Sequence, residues 1–227
     1  MAKYKDMGIV VAIDGPSGVG KTTVARLVAD KLGLKAVSTG ALYRALALYL
    51  LKTGVNPAND MALDVALRNV ELDQQYIDGR IRTFLNGEDV TEEIESVEVG
   101  AMASKIAAIP KVREFLLDVQ RRLAEGGAVV EGRDIGTVVL PEANVKVFLD
   151  ASTGERARRR YEQLRAEGMN ISYEQALEDI RRRDFRDASR DVAPLRRAPD
   201  AIYIDTTHMT AEEVANRITK LVKELIP

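Results

Sequence analysis

Apolar residues along this chain follow two rhythms. VVAID from Val10, LKAVS from Leu34, AVVE from Ala128, VKVFLD from Val145 and AIYID from Ala201 are short, mostly apolar runs. Such runs suit strands covered on both faces in a parallel sheet. Between them the spacing changes to three and four. Val24, Leu27, Val28 and Leu32 line a helix that Gly33 stops, and ALYRALALYLLK predicts a buried helix ending at Gly54. Pro110 separates a helical VGAMASKIAAI from KVREFLLDVQRRLAE, where Val112, Phe115, Leu116, Val119 and Leu123 share a face. The last helix buries Val214, Ile218, Leu221 and Leu225 and starts with a capping-box pair, Thr210 and Glu213.

One segment breaks the alternation. VELDQQYIDGRIRTFLNGEDV, from Val70 to Val90, carries Asp78-Gly79 and Asn86-Gly87 between short alternating stretches, which predicts a small antiparallel insert. A second departure is the arginine-rich stretch from Glu155 to Arg190, helical, with Ser172 and Gln175 as a capping box. Five strands alternating with helices imply an open parallel sheet wrapped on both faces, with ligands expected at the carboxyl ends of the strands.

Composition narrows the chemistry. In 227 residues, 33 Lys and Arg nearly balance 35 Asp and Glu, so no overall basic bias draws the chain to nucleic acid or a membrane surface. Absence of cysteine excludes disulfides, thiolate metal sites and cysteine nucleophiles, and fits a reducing compartment. The apolar run from Gly8 to Ile13 is too short for a secretory signal or a membrane span, so the cytoplasm is the expected location.

Candidate chemistry begins just after the first strand. Gly15, Gly20, Lys21 and Thr22 satisfy G-x-x-x-x-G-K-S/T between a strand and an amphipathic helix, the context this motif needs. The four fixed positions alone would recur by chance in about one chain in a hundred of this length, so the context matters more than the letters. Glycines let successive amides curl around an anion, the helix N-terminus adds positive potential, Lys21 can reach the β- and γ-phosphates, and the Thr22 hydroxyl can ligate Mg²⁺. The alternative is a glycine-rich turn with an exposed lysine.

Arginines supply the other half of a phosphoryl-transfer site, which needs positive charge on both sides of the moving group. Arg44, in STGALYR, and Arg133, in EGRDIGT, each lie just beyond a strand, and their guanidinium forks suit phosphate oxygens. Arg158, Arg159 and Arg160 read as a solvated basic face with acidic partners; a nucleic-acid patch would require interleaved aromatics. Arg183, Arg186 and Arg190 fall near one helix face, which favours a shared anionic target, with salt bridges to Asp184 and Asp187 as the competing use. Asp150 and Asp205 end strands and serve either a second metal position or a helix cap. His208, the lone histidine, reads as an exposed loop residue.

Taken together, IDGPSGVGKTT, STGALYR, SKIAAIPKVRE, EGRDIGTVV, VKVFLDAS and RRDFRDASRDVAPL, in this order, resemble the bacterial-type cytidylate kinases from about Ile9 to the C-terminus. That resemblance implies a P-loop nucleoside monophosphate kinase fold: a core (1–69, 101–154, 191–227), a monophosphate-binding insert (70–100) and an arginine-rich lid (155–190). It implies ATP- and Mg²⁺-dependent phosphorylation of CMP and dCMP to CDP and dCDP, by a monomer without nucleic-acid or membrane partners. Gly15, Pro16, Ser17, Gly18, Val19, Gly20, Lys21, Thr22 and Thr23 would bind ATP, with Thr22 on the metal. Thr39, Arg44 and Arg133 would hold the acceptor phosphate region, and Ser104, Arg113 and Asp134 would read cytosine. Asp187 would take a sugar hydroxyl, while Arg183 and Arg190 would close with the lid and join Lys21 and Arg133 in catalysis. Position 39 is threonine where the family commonly has serine, so the hydroxyl is kept and a methyl added. Competing readings are a kinase acting on UMP, AMP or another small molecule, and a nucleotide-sensing P-loop switch.

Overall fold

The structure, a computed structural model, describes residues 3–166, 168–190 and 192–226. A helical turn, α1 (Lys3–Asp6), precedes β1 (Val10–Asp14), and the glycine-rich loop then leads into α2 (Lys21–Leu32). Next come β2 (Lys35–Ser38), α3 (Thr39–Thr53) and α4 (Asp60–Asn69). The predicted insert follows as β3 (Leu72–Ile77), β4 (Arg80–Leu85) and β5 (Glu88–Asp89). Beyond it the chain runs through α5 (Val97–Ile106), α6 (Pro110–Ala124), β6 (Ala128–Gly132), β7 (Val145–Asp150), α7 (Thr153–Ala166), α8 (Tyr173–Ala188), β8 (Ile202–Asp205) and α9 (Ala211–Leu225).

Five strands form one parallel sheet in the order β2-β6-β1-β7-β8. Alternation along β1 sends Val11 and Ile13 into the core shared with α2 and α9, and Ala12 into the opposite core under α3, α5 and α6. Both faces are therefore buried, as continuous apolar strands demand. From β1 the chain moves to one side for β2 and β6 and to the other for β7 and β8, so the carboxyl end of β1 is the switch point where a cleft opens.

The insert is a three-stranded antiparallel sheet whose tight turns carry the two predicted dipeptides, with φ of 50° and 70° at Asp78-Gly79 and 50° and 83° at Asn86-Gly87. Gln74 of β3 fastens it to the core. The buried side-chain amide accepts from the Ser38 N–H at 3.0 Å and donates to the Ser38 carbonyl at 2.9 Å, completing the free edge of β2.

Both capping boxes are formed, Ser172 with Gln175 and Thr210 with Glu213. The arginine-rich stretch is two helices, α7 and α8, rather than one. Leu225 departs from expectation: it is 57% exposed, because it closes α9 where the helix runs past the sheet, while Leu221 is only partly buried. α4 is an element that the apolar pattern left unassigned; it buries only Leu63 and Ala66 and starts at Asn59, whose side chain accepts from the Ala62 N–H.

Candidate functional site

The loop after β1 is shaped for close approach. At Gly15 a Cβ would sit 2.2 Å from the Leu149 carbonyl oxygen, so only glycine lets the loop leave the sheet here. Gly20 precedes α2 in the left-handed region, φ 90°, with no side-chain cap, which leaves the first-turn amides of α2 open to an anion. Lys21 is buried and its Nζ donates to the Pro16 carbonyl at 2.8 Å. Burial, helped by the nearby Arg133 guanidinium, pushes its ammonium down to about 7.

Two carboxylates that sequence reasoning did not single out organise the loop. Glu131, buried at the end of β6, accepts from the Thr22 hydroxyl at 3.0 Å and from the Ser38 hydroxyl. Asp14, buried at the end of β1, accepts from the backbone N–H groups of Ile135 at 2.7 Å and Gly136 at 2.8 Å, binding the EGRDIGT segment to the P-loop strand. Burial raises Asp14 to about 6 against the opposing pull of those two bonds. The available signal was positional: each acid closes a strand whose carboxyl end meets the loop.

A cleft of about 610 Å³ starts at Ser17, Gly18, Gly20, Lys21, Thr22 and Thr23 and continues past Thr39 and Arg44 to Ser104, Arg113 and Asp134. Arg133, Arg183, Asp187 and Arg190 border it as well, so one space gathers side chains from β6, α3, α5, α6 and α8. Gly15 and Pro16 do not line this cleft, and Val19 faces a second cavity of about 670 Å³ that also meets Gly18 and Gly20. That second cavity lies between Glu155, Arg159 and Arg160 of α7 and the segment Thr206–Thr210, where His208 is exposed.

Each arginine has a definite partner. Arg133 donates to Asp187 at 2.8 Å, and Arg190 bonds the other oxygen of the same carboxylate. Burial alone would raise Asp187, but Arg133 and Arg190 together hold it below the usual range. Arg113 pairs with Asp134 and lies 6.0 Å from the centre of the Tyr43 ring, while burial raises Asp134 and pushes the Tyr43 hydroxyl up to about 12. Arg44 donates to the Ile94 carbonyl at 2.9 Å, and Arg183 pairs with Asp179 at 3.0 Å on its own helix. The Thr39 hydroxyl donates to the Glu131 carbonyl at 2.9 Å, so its added methyl does not cost it a partner. Ser104 accepts from Arg186 at 2.6 Å, which takes Arg186 to a neutral partner rather than to a shared anion with Arg183 and Arg190.

The basic run on α7 has two uses. Arg158 is the expected solvated residue, paired with Glu155 and Glu162. Arg159 also keeps Glu155, at 2.8 Å, but is only partly exposed and donates besides to backbone carbonyls of Val19 and Thr206. Arg156, buried, holds both oxygens of Asp184 at 2.8 and 2.7 Å and donates to the carbonyls of Ser17 and Ala151, tying α8 to the P-loop. The competitor foreseen for the α8 arginines is thus split: Asp187 serves Arg133 and Arg190, and Asp184 serves Arg156. Asp150 accepts from the Ala151 N–H and Asp205 from the Thr207 N–H, which makes both of them local turn supports. Asp191 of the RDVAPL motif lies outside the described residues.

Among solved structures, an uncharacterized protein from Eubacterium ventriosum superposes with a TM-score of 0.53 at 14% identity, covering 96% of this chain and 99% of that one, which shows a shared fold. Cytidylate kinase from Fervidobacterium nodosum is 50% identical over 215 residues, 94% of this chain and 96% of the relative. The Pseudothermotoga lettingae cytidylate kinase is 50% identical, covering 93% of each chain, and that of Geobacter sulfurreducens 46%, covering 96% and 94%. The family described as Cytidylate kinase matches residues 11–224, and with these relatives it shows that the chain belongs to the cytidylate kinase family.

Proposed function

We propose that this chain transfers the γ-phosphoryl group of ATP directly to the phosphate of CMP or dCMP, giving ADP and CDP or dCDP. The observation that carries the reading, beside family membership, is a single cleft joining the glycine-rich loop to the Arg113–Asp134 pair, with Arg133 and Arg190 between them. ATP lays its polyphosphate on the amides from Gly18 to Thr23, and its base lies toward the cavity between α7 and Thr206–Thr210. Lys21 exchanges its bond to the Pro16 carbonyl for phosphate oxygens. Arg44, Thr39 and Arg133 receive the acceptor phosphate, Asp187 a sugar hydroxyl, and Asp134, Arg113 and Ser104 the cytosine edge. A carboxylate accepts the exocyclic amino group that cytosine has and uracil lacks.

The Thr22 hydroxyl directs its hydrogen to Glu131, which leaves oxygen lone pairs of both residues for a hard cation, so the pair fits Mg²⁺. When bound, Mg²⁺ neutralises charge on the β- and γ-phosphate oxygens. Residues 155–190 act as a lid, with Arg183 and Arg190 gaining phosphate contacts as it closes and water is excluded. The insert, 70–100, borders the acceptor. Transfer is in line with no covalent enzyme intermediate: there is no cysteine, and His208 lies beside the second cavity, away from the acceptor. Among the described residues no helix is long and apolar enough to cross a membrane, which is compatible with the cytoplasm.

The test is an acceptor panel: CMP, dCMP, UMP, AMP and GMP with Mg²⁺ and ATP, products identified by chromatography. CDP and dCDP are expected to dominate. Preference for any other acceptor, or ATP hydrolysis indifferent to acceptor, overturns the proposal.

A further inference from the structure

Of Arg183, Arg186 and Arg190, Arg186 is the one guanidinium that does not border the cleft, yet it reaches Ser104 across 82 positions of sequence. A hydroxyl has one hydrogen to donate and two lone pairs to accept with. Arg186 is donor-only, so the bond at 2.6 Å must occupy a Ser104 lone pair. Among the described residues the Ser104 hydrogen has no protein acceptor, and Ser104 borders the cleft. A free serine hydroxyl rotates to suit either a donor or an acceptor. With its oxygen held by α8, this one has its hydrogen left for an acceptor in the cleft.

From this geometry we infer that Arg186 is a specificity-determining positioning residue: it holds the Ser104 hydroxyl as a donor toward the acceptor base. The consequence rests on the base-reading role of Ser104 given above. Cytosine presents an unprotonated ring nitrogen, N3, beside its amino group, and uracil presents an N–H at the same place. A donor-oriented hydroxyl bonds the first and opposes the second. Asp134 selects the amino group and Ser104 the neighbouring nitrogen, so the two discriminations reinforce each other. Because Arg186 sits on α8 with Arg183 and Asp187, just before Arg190, the same bond also ties lid position to the base.

The experiment compares kcat/KM for CMP and UMP at saturating ATP in the full chain, in Arg186→Met, which keeps an apolar stem and drops the donor, in Arg186→Lys, which keeps a donor, and in Ser104→Ala. We expect Arg186→Met to lower the CMP-over-UMP ratio about fivefold, the scale of one hydrogen bond, with the KM for ATP unchanged. Arg186→Lys should restore most of the ratio, and Arg186→Met should add nothing in a Ser104→Ala background. If Ser104→Ala shifts the ratio and Arg186→Met does not, the inference fails while the base reading stands. If neither shifts it, Ser104 does not read the base and both fail. A ratio that falls equally in the methionine and lysine variants also overturns it, since loss of packing rather than of a donor would then be the cause.

Discussion

Lys21 combines a function with an electrostatic cost. Buried beside Arg133, its ammonium is pushed down to about 7, so above that pH a growing share of the free chain carries it neutral. A bound polyphosphate restores the charge and raises the pKa, so the protein takes up a proton as the nucleotide arrives, and affinity weakens as pH rises through about 7. Titration calorimetry in buffers of different ionisation enthalpy should show proton uptake at about pH 8 that shrinks toward about pH 6 and disappears in Lys21→Met. Uptake unchanged in that variant would detach the effect from Lys21. The lysine itself was legible in the sequence because G-x-x-x-x-G-K-T names it. Glu131 and Asp14 were not, because a lone acid at a strand end looks the same whether it supports a local turn, as Asp150 does, or receives a threonine hydroxyl, as Glu131 does.

At the scale of elements, α8 is fastened to the P-loop by an ion pair between a buried Arg156 and a partly exposed Asp184. Arg156 spans the Asp184 carboxylate and the Ser17 carbonyl, and Gly18 lets the loop pass beneath, since a Cβ there would lie 3.0 Å from both the Arg156 carbonyl oxygen and the Ile180 side chain. Removing one member of such a pair leaves the other charge without its partner. Because Asp184 keeps some water, Arg156→Met should lower unfolding stability by about 1–2 kcal/mol in urea titrations, the scale of a charge-assisted hydrogen bond. It should also reduce kcat more than it raises either KM, because α8 carries Arg183 and leads directly into Arg190. Unchanged stability would show the pair to be ornamental. Sequence marked α7 and α8 as a basic helical stretch with a helix start at Ser172, but not which of its arginines would be buried, since guanidinium groups that face water and ones that face carbonyls look alike in one dimension. Strands, hairpin dipeptides and capping boxes were legible because each rests on local pattern. α4 escaped because its short apolar face is set by packing on the neighbouring core, not by its own periodicity.

For the molecule as a whole, the strand order makes the decisive arrangement. With β1 central and the chain diverging on either side of it, the loop, the EGRDIGT segment after β6 and the STGALYR segment after β2 meet at one edge of the sheet. α8 and the residues just after it then cover that edge with Arg183, Asp187 and Arg190, so segments far apart in sequence surround a space of about 610 Å³. The fold class and the gathering of arginines were both foreseeable, and so was Asp187 as a partner for the arginines near it, but the pairing of Arg133 with Asp187 and of Arg113 with Asp134 was not, because it depends on side chains meeting across elements. The central claim is that donor and acceptor anions are held together in this one cleft. Binding of a bisubstrate compound, adenosine and cytidine joined through a five-phosphate bridge, tests it most directly by competition. The account predicts displacement by ATP and by CMP alike, with affinity well above either nucleotide alone; displacement by ATP only, with no response to CMP, would contradict it.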